Sequence, residues 1–225
     1  MPDYFSHGVA AEIIYEKLDI SYKRKITSKP LYLLGAQGGD VFFAYSIKPT
    51  KSNLGRCLHR KNALYLFGKL AQGNPSYAAG FATHYAMDCT LHPAIYEYEH
   101  TKRSPLAHGS FENDLGLYIS KKYKVRRTIL PREKVLECTA AVYDSIKPVE
   151  PLITITGVER CLKRHFSLTR FMYRTKRLEY KCGYDFADMQ DDIDRALALG
   201  AEAVKCVLDG NIDPQVFDKE FLQKK

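Results

Sequence analysis

The stretch Pro75-Ser-Tyr-Ala-Ala-Gly80-Phe-Ala-Thr-His84-Tyr-Ala-Met-Asp88-Cys-Thr-Leu-His92-Pro93 decides how this chain is read. A helix opening at Pro75 and built from Ala78, Ala79, Gly80, Ala82 and Ala86 has few bulky side chains to hold neighbours away. It is therefore expected to be central and buried. On such a helix, residues four apart lie one above another, with Cβ atoms about 5–6 Å apart. His84 and Asp88 then share one face, and His92 extends it to where Pro93 is expected to disturb the helix.

Working outward, Val9, Ile13 and Ile14 around Ala10 and Ala11 predict a helix over about 6–18, with His7 in its opening turn. Tyr22 to Pro30 reads as a basic connection. The apolar run from Leu31 ends in Gly35, Gly38 and Gly39, so a tight turn is expected to place Asp40, followed by the aromatics Phe42, Phe43 and Tyr45. Leu58, Leu64, Leu66, Phe67 and Leu70 predict one helix over about 55–71, with His59 in its first turns. Ser104-Pro105 resembles a capped start for a helix carrying His108 and Glu112 to about 122. Further helices are expected over about 131–146, 156–177 and 184–209, the last stopping before Gly210. Strand-like alternation is weak throughout, and neither a repeat nor a low-complexity run is visible. The expected architecture is all-α, a single-domain helical bundle over residues 1–225 around a multinuclear metal site.

Thirty-four Lys and Arg against twenty-six Asp and Glu give a net charge of +8, which favours anionic substrates. With no Trp beside sixteen Tyr and eleven Phe, the core should be rich in Leu, Tyr and Phe. The six cysteines show no C-x2-C pairing and read as reduced, structural thiols. No stretch approaches the roughly twenty apolar residues of a membrane span. The start has neither a basic leader nor an apolar signal core, so the expected location is cytoplasmic.

Five of the seven histidines form an ordered series with carboxylates: His7, Asp40, His59, His84, Asp88, His92, His108 and Glu112. Any one His and acid four apart is more often a surface hydrogen-bonded pair than a ligand pair. Here the pattern recurs, and it lies among apolar neighbours such as Phe81 and Leu106, where unpaired charge is costly. Imidazole and carboxylate are the usual ligands of Zn²⁺, and eight of them exceed what one tetrahedral ion needs. Two or three zinc ions are expected. His100 and His165, outside the series, read as ordinary surface residues.

In its order and spacing this series, together with Leu33-Leu-Gly-Ala-Gln-Gly-Gly-Asp40-Val-Phe-Phe43, resembles the zinc-dependent phospholipase C family. Motifs cover about residues 1–120. The resemblance implies an all-α fold with three zinc positions. Asp40, His59, His84 and Asp88 would hold the first ion, His92, His108 and Glu112 the second, and His7 with the shared Asp88 the third. In the family the N-terminal Trp completes that third position. This chain has no Trp, and a Pro2 amine freed by removal of Met1 is the available substitute. Val41 stands where the family has the Tyr of its choline pocket, so the headgroup is left open.

The implied chemistry is hydrolysis of a phosphodiester by metal-activated water, with Asp40 either the general base or only a ligand. The implied substrate is a phosphate ester, with phospholipid as one candidate. Two other readings stand beside it. A related zinc nuclease or phosphatase would use the basic and aromatic residues Arg164 to Arg177, with Phe166, Phe171 and Tyr173, for nucleic acid. A metal-binding protein without catalytic activity would keep the ligands alone. The oligomeric state is not legible from these features.

Overall fold

The computed structural model describes residues 5–47, 52–102, 104, 107–126, 128–174 and 182–219, and it is all-α. Helix α1 (Ser6–Lys17) buries its face from Ser6 to Ile14. The basic connection expected after it is instead helical: α2 (Ile20–Lys25) and α3 (Lys29–Gly35) occupy it. At α3 the cause is local capping. Ser28 Oγ accepts from the Leu31 amide at 3.3 Å, and Pro30 lies in the first turn, where its missing N–H costs nothing. A 3-10 turn, Gly38–Phe42, then carries Asp40. A two-residue antiparallel ladder pairs Ser46–Ile47 with Ser52–Asn53, a small departure from the strand-free expectation.

The single helix expected over 55–71 is two, α4 (Leu54–Leu58) and α5 (Ala63–Leu70). Asn62 breaks it by accepting from the Tyr65 amide at 3.1 Å, an N-cap that restarts the helix. His59 therefore stands at the C-cap of α4 rather than inside a long helix.

Helix α6 (Pro75–Lys102) is the axis of the molecule, packed against α3 and several later helices. It runs through Pro93 without ending at His92 as expected. Proline there removes only one donor, to the carbonyl of Cys89, and packing on several sides outweighs that loss. The small residues act as predicted. A Cβ on Gly80 would meet the carbonyl oxygen of Tyr32, and one on Gly35 that of Tyr77, so α3 and α6 touch backbone to backbone.

Helix α7 (Ala107–Tyr123) follows; Pro105 of the predicted cap lies outside the described residues. The helix expected over 131–146 is divided at Cys138 into α8 (Arg132–Glu137) and α9 (Thr139–Ile146). Helices α10 (Ile155–Arg174) and α11 (Gln190–Asp209) complete the fold, with a 3-10 turn, Phe186–Met189, before α11. Gly210 ends α11 with φ +69°, the left-handed cap expected of a glycine at that place. One continuous core joins these elements; Tyr32, Tyr77, Tyr85, Phe42, Phe67, Phe81 and Phe111 are its largest fully buried side chains. All six cysteines are free thiols.

Candidate metal centre

Asp88 is the hub. Four imidazoles approach its two oxygens: His7 Nε2 at 3.3 Å and His92 Nδ1 at 3.4 Å from Oδ1, His84 Nε2 at 3.2 Å and His59 Nε2 at 3.4 Å from Oδ2. The carboxylate is 2% exposed, yet neither oxygen has a hydrogen bond of good geometry. Asp40 Oδ1 lies 3.3 Å from His59 Nε2, which in turn is 3.0 Å from His84 Nε2. Burial alone would raise the Asp88 pKa; His84, His92 and His59 outweigh it and hold the carboxyl well below its usual range. Asp40 is also lowered, its burial being outweighed by His59 and His84.

These separations fit a cation. A tetrahedral zinc with arms of about 2.0–2.1 Å has ligand-to-ligand edges of roughly 3.3–3.4 Å. The polar atoms around Asp88 stand 3.0 to 3.4 Å apart, close to the edges of such a polyhedron; one of these contacts, His59 Nε2 to His84 Nε2 at 3.0 Å, also has the length of a hydrogen bond. Buried polar atoms in this arrangement are costly unless something of opposite charge satisfies them together. Three sets of side chains have ligand atoms close enough to hold an ion: His7, Asp40 and His84; His59, His84 and Asp88; and His92, His108 and Glu112.

The third set joins α6 to α7 at a more open place. His108 Nε2 is 2.9 Å and His92 Nε2 3.9 Å from Glu112 Oε1. Across the ring, His108 Nδ1 is 3.1 Å from Glu99 Oε1. Tyr96 packs against both imidazoles, its ring centroid 5.3 Å from that of His92 and 6.1 Å from that of His108. All eight residues singled out in the sequence thus belong to one network of contacts, none longer than 3.9 Å.

Histidine that ligates a metal commonly donates its far nitrogen to a carbonyl or carboxylate, which sets the tautomer. That pattern recurs here. His59 Nδ1 is 2.8 Å from the Gly55 carbonyl oxygen and His92 Nδ1 3.1 Å from that of Asp88. For His59, burial opposes protonation, but Asp40 and Asp88 override it and push its pKa up to about 10. Burial wins at His84 and His92, which are both lowered.

The glycine turn explains why Asp40 can come so near. Gly38 has φ +51°, and a Cβ there would enter the His84 ring; one on Gly39 would lie 2.6 Å from His59 Cε1. The aromatic run after it divides its roles. Val41 and Phe42 are core, whereas Phe43 is 38% exposed and stacks on His59 at 5.5 Å. The Tyr45 hydroxyl accepts from the Thr154 amide at 2.9 Å, tying the run to the start of α10.

His100 is exposed as expected, but His165 is not. It is 6% exposed, because Val158, Cys161, Leu162, His165 and Thr169 form the inward stripe of α10. The Lys163-Arg164 neighbours suggested a solvated face; the three- and four-residue spacing from Val158 was the better signal. With Gln37 and Thr169, His165 lines a cavity of about 30 Å3 beside α3, room for roughly two waters. Of the residues offered for nucleic acid, Arg164 and Phe171 are exposed and Phe166 is half-buried; the Tyr173 side chain and residues 175–181 lie outside the described residues, as does Pro2. Among the described residues, no helix is long and apolar enough to cross a membrane.

Sequence reasoning missed Glu99. Its signal was present: His84, Asp88, His92, Tyr96 and Glu99 continue one helical stripe at spacings of four, four, four and three. No protein-family model, curated protein or solved structure matches this chain.

Proposed function

We propose that this protein is a metal-dependent phosphoric-ester hydrolase of the zinc-dependent phospholipase C type. The observation that carries the reading is one buried carboxylate, Asp88, shared among four imidazoles, with a second His–Glu set one helical turn further along α6. Hard oxygen and borderline nitrogen donors without thiolates suit zinc. Asp40, His59, His84 and Asp88 would hold one ion and His92, His108 and Glu112 another, with His7 reaching a third position through Asp88.

Bound zinc supplies positive charge for the phosphoryl oxygens and lowers the pKa of water toward neutrality. The chain does the rest. Asp40, with a side chain 10% exposed against 2% for Asp88, is the more open carboxylate of the deep cluster and would accept the proton of the attacking water. The outer nitrogens of His59 and His92, fixed on backbone carbonyls, keep the facing nitrogens aimed inward. Phe43 offers an apolar lip beside His59, and the net charge of +8 draws anionic esters.

The test is turnover of bis-p-nitrophenyl phosphate, repeated after chelation and after return of zinc. Activity that disappears with the chelator and returns with zinc is expected. Zinc-loaded protein without turnover on this ester, on phospholipid vesicles or on single-stranded nucleic acid would reduce the proposal to a metal-binding module.

A further inference from the structure

We propose that Glu99 is a positioning residue for the outer ion, holding the His108 imidazole so that its Nε2 faces Glu112 and the metal. The inference rests on the metal reading given above, and it assigns a role to a side chain outside the eight-residue ligand series. Three observations carry it. The His108 ring is bracketed by two carboxylates from two helices, Glu99 Oε1 at 3.1 Å from Nδ1 and Glu112 Oε1 at 2.9 Å from Nε2. Glu99 lies seven residues after His92, two turns along the same face of α6, which brings it over the ring from the side opposite the ligand set. His59 and His92 already have their outer nitrogens fixed on backbone carbonyls; His108 has a carboxylate in that place.

The chemistry follows. Replacing the proton on Nε2 by a cation leaves the Nδ1 proton in place, still donated to Glu99. A carboxylate acceptor stabilises the tautomer whose Nε2 lone pair points at the ion, and makes that nitrogen a stronger donor to metal. It also stops ring rotation about the Cβ–Cγ bond. Without Glu99, Nδ1 would lose its carboxylate, and the ring would be oriented by Glu112 or the ion at Nε2 and by packing against Tyr96 and His92, with centroids 6.1 and 5.6 Å away. Glu99 is 35% exposed, so this is not a core role. Removing it leaves no cavity and should spare the fold.

The experiment is zinc binding by competition with a chromophoric chelator, on wild-type protein, Glu99→Ala and Glu99→Gln, alongside the Tm of each metal-free protein. Glu99→Ala should weaken the weaker zinc equivalent about 10–100-fold and leave the tighter one unchanged. Glu99→Gln keeps an oxygen acceptor and should fall between the two, and the metal-free Tm should stay within about 4 °C in all three, the size of a partly exposed ion pair. Glu99→Ala binding both equivalents as tightly as wild type would overturn the inference and leave the metal reading standing. Equal weakening of both equivalents, together with a fall in metal-free Tm, would make Glu99 a structural residue and overturn it too. Wild-type protein that takes up no zinc would bring down both.

Discussion

The two ends of the ligand stripe on α6 solve the same problem differently. At the deep end, His84 is fully buried and Asp88 is 2% exposed, and neither Asp88 oxygen has a hydrogen bond of good geometry. At the outer end, the His108 side chain is 19% exposed and lies between Glu99 and Glu112. Burial disfavours its charge, yet Glu112 and Glu99 prevail and push its pKa up to about 9. A protonated His108 can therefore neutralise the outer end without an ion. At the deep end His59, its pKa raised by Asp40 and Asp88, can carry one such proton, but two buried carboxylates face it, while burial keeps His84 and His92 lowered. The two ends therefore differ in burial, and removing a charge should cost more at the deep end than at the outer one.

The sharpest way to break this contrast is Asp88→Asn. It removes the charge that faces four imidazoles, and it should destabilise the protein by roughly 3–5 kcal/mol, the range for breaking a buried ionic set. Zinc content should fall to the outer equivalent alone. Near-normal zinc content measured on the purified variant would show that Asp88 is not the hub.

Next in size is the effect of zinc itself. At a free concentration about 100 times Kd, binding adds about 2.7 kcal/mol, or roughly 5–11 °C in Tm for a chain of this length. The pH dependence of the zinc increment runs opposite to that of metal-free stability. In metal-free protein, the raised pKa of His59 gives stability that is complete below its ordinary 6.5 and lost as pH rises toward about 10. The lowered pKa of Asp88 gives stability present above its ordinary 3.8 and lost as pH falls further. Zinc must displace the protons of His59, with a pKa of about 10, and His108, at about 9, so the zinc-induced rise in Tm should grow from pH 6.5 to 9 while metal-free Tm declines. Parallel trends in a scan of the two forms would contradict the assignment of these imidazoles to the ion.

The smallest expected effect is at the outer end. His108→Ala should remove one zinc equivalent and shift metal-free stability by no more than about 1 kcal/mol, as for a partly exposed ion pair. A loss as large as that of Asp88→Asn would erase the distinction between the two ends.

The helical class and the ligand series were legible because both depend on local periodicity: small residues along α6, and imidazoles and carboxylates four apart. What escaped was whatever depends on a cap or on a tertiary partner. Asn62 divides one apolar pattern into α4 and α5, and Ser28 starts a helix in what reads as a basic loop. Pro93 carries a local stop signal that packing overrules. His165 was hidden by its two charged neighbours, and Glu99 by its distance in sequence from His108, although it lies 3.1 Å away in space.

The contact of bare backbones at Gly35 and Gly80 has a consequence for how such a centre can change over time. The segment that delivers Asp40 rides on α3, and its spacing from His84 is set by the absence of two methyl groups. A single alanine at either glycine would act as a shim, moving one wall of the pocket while every coordinating side chain stayed the same. The geometry of the pocket can thus drift through residues that line none of it.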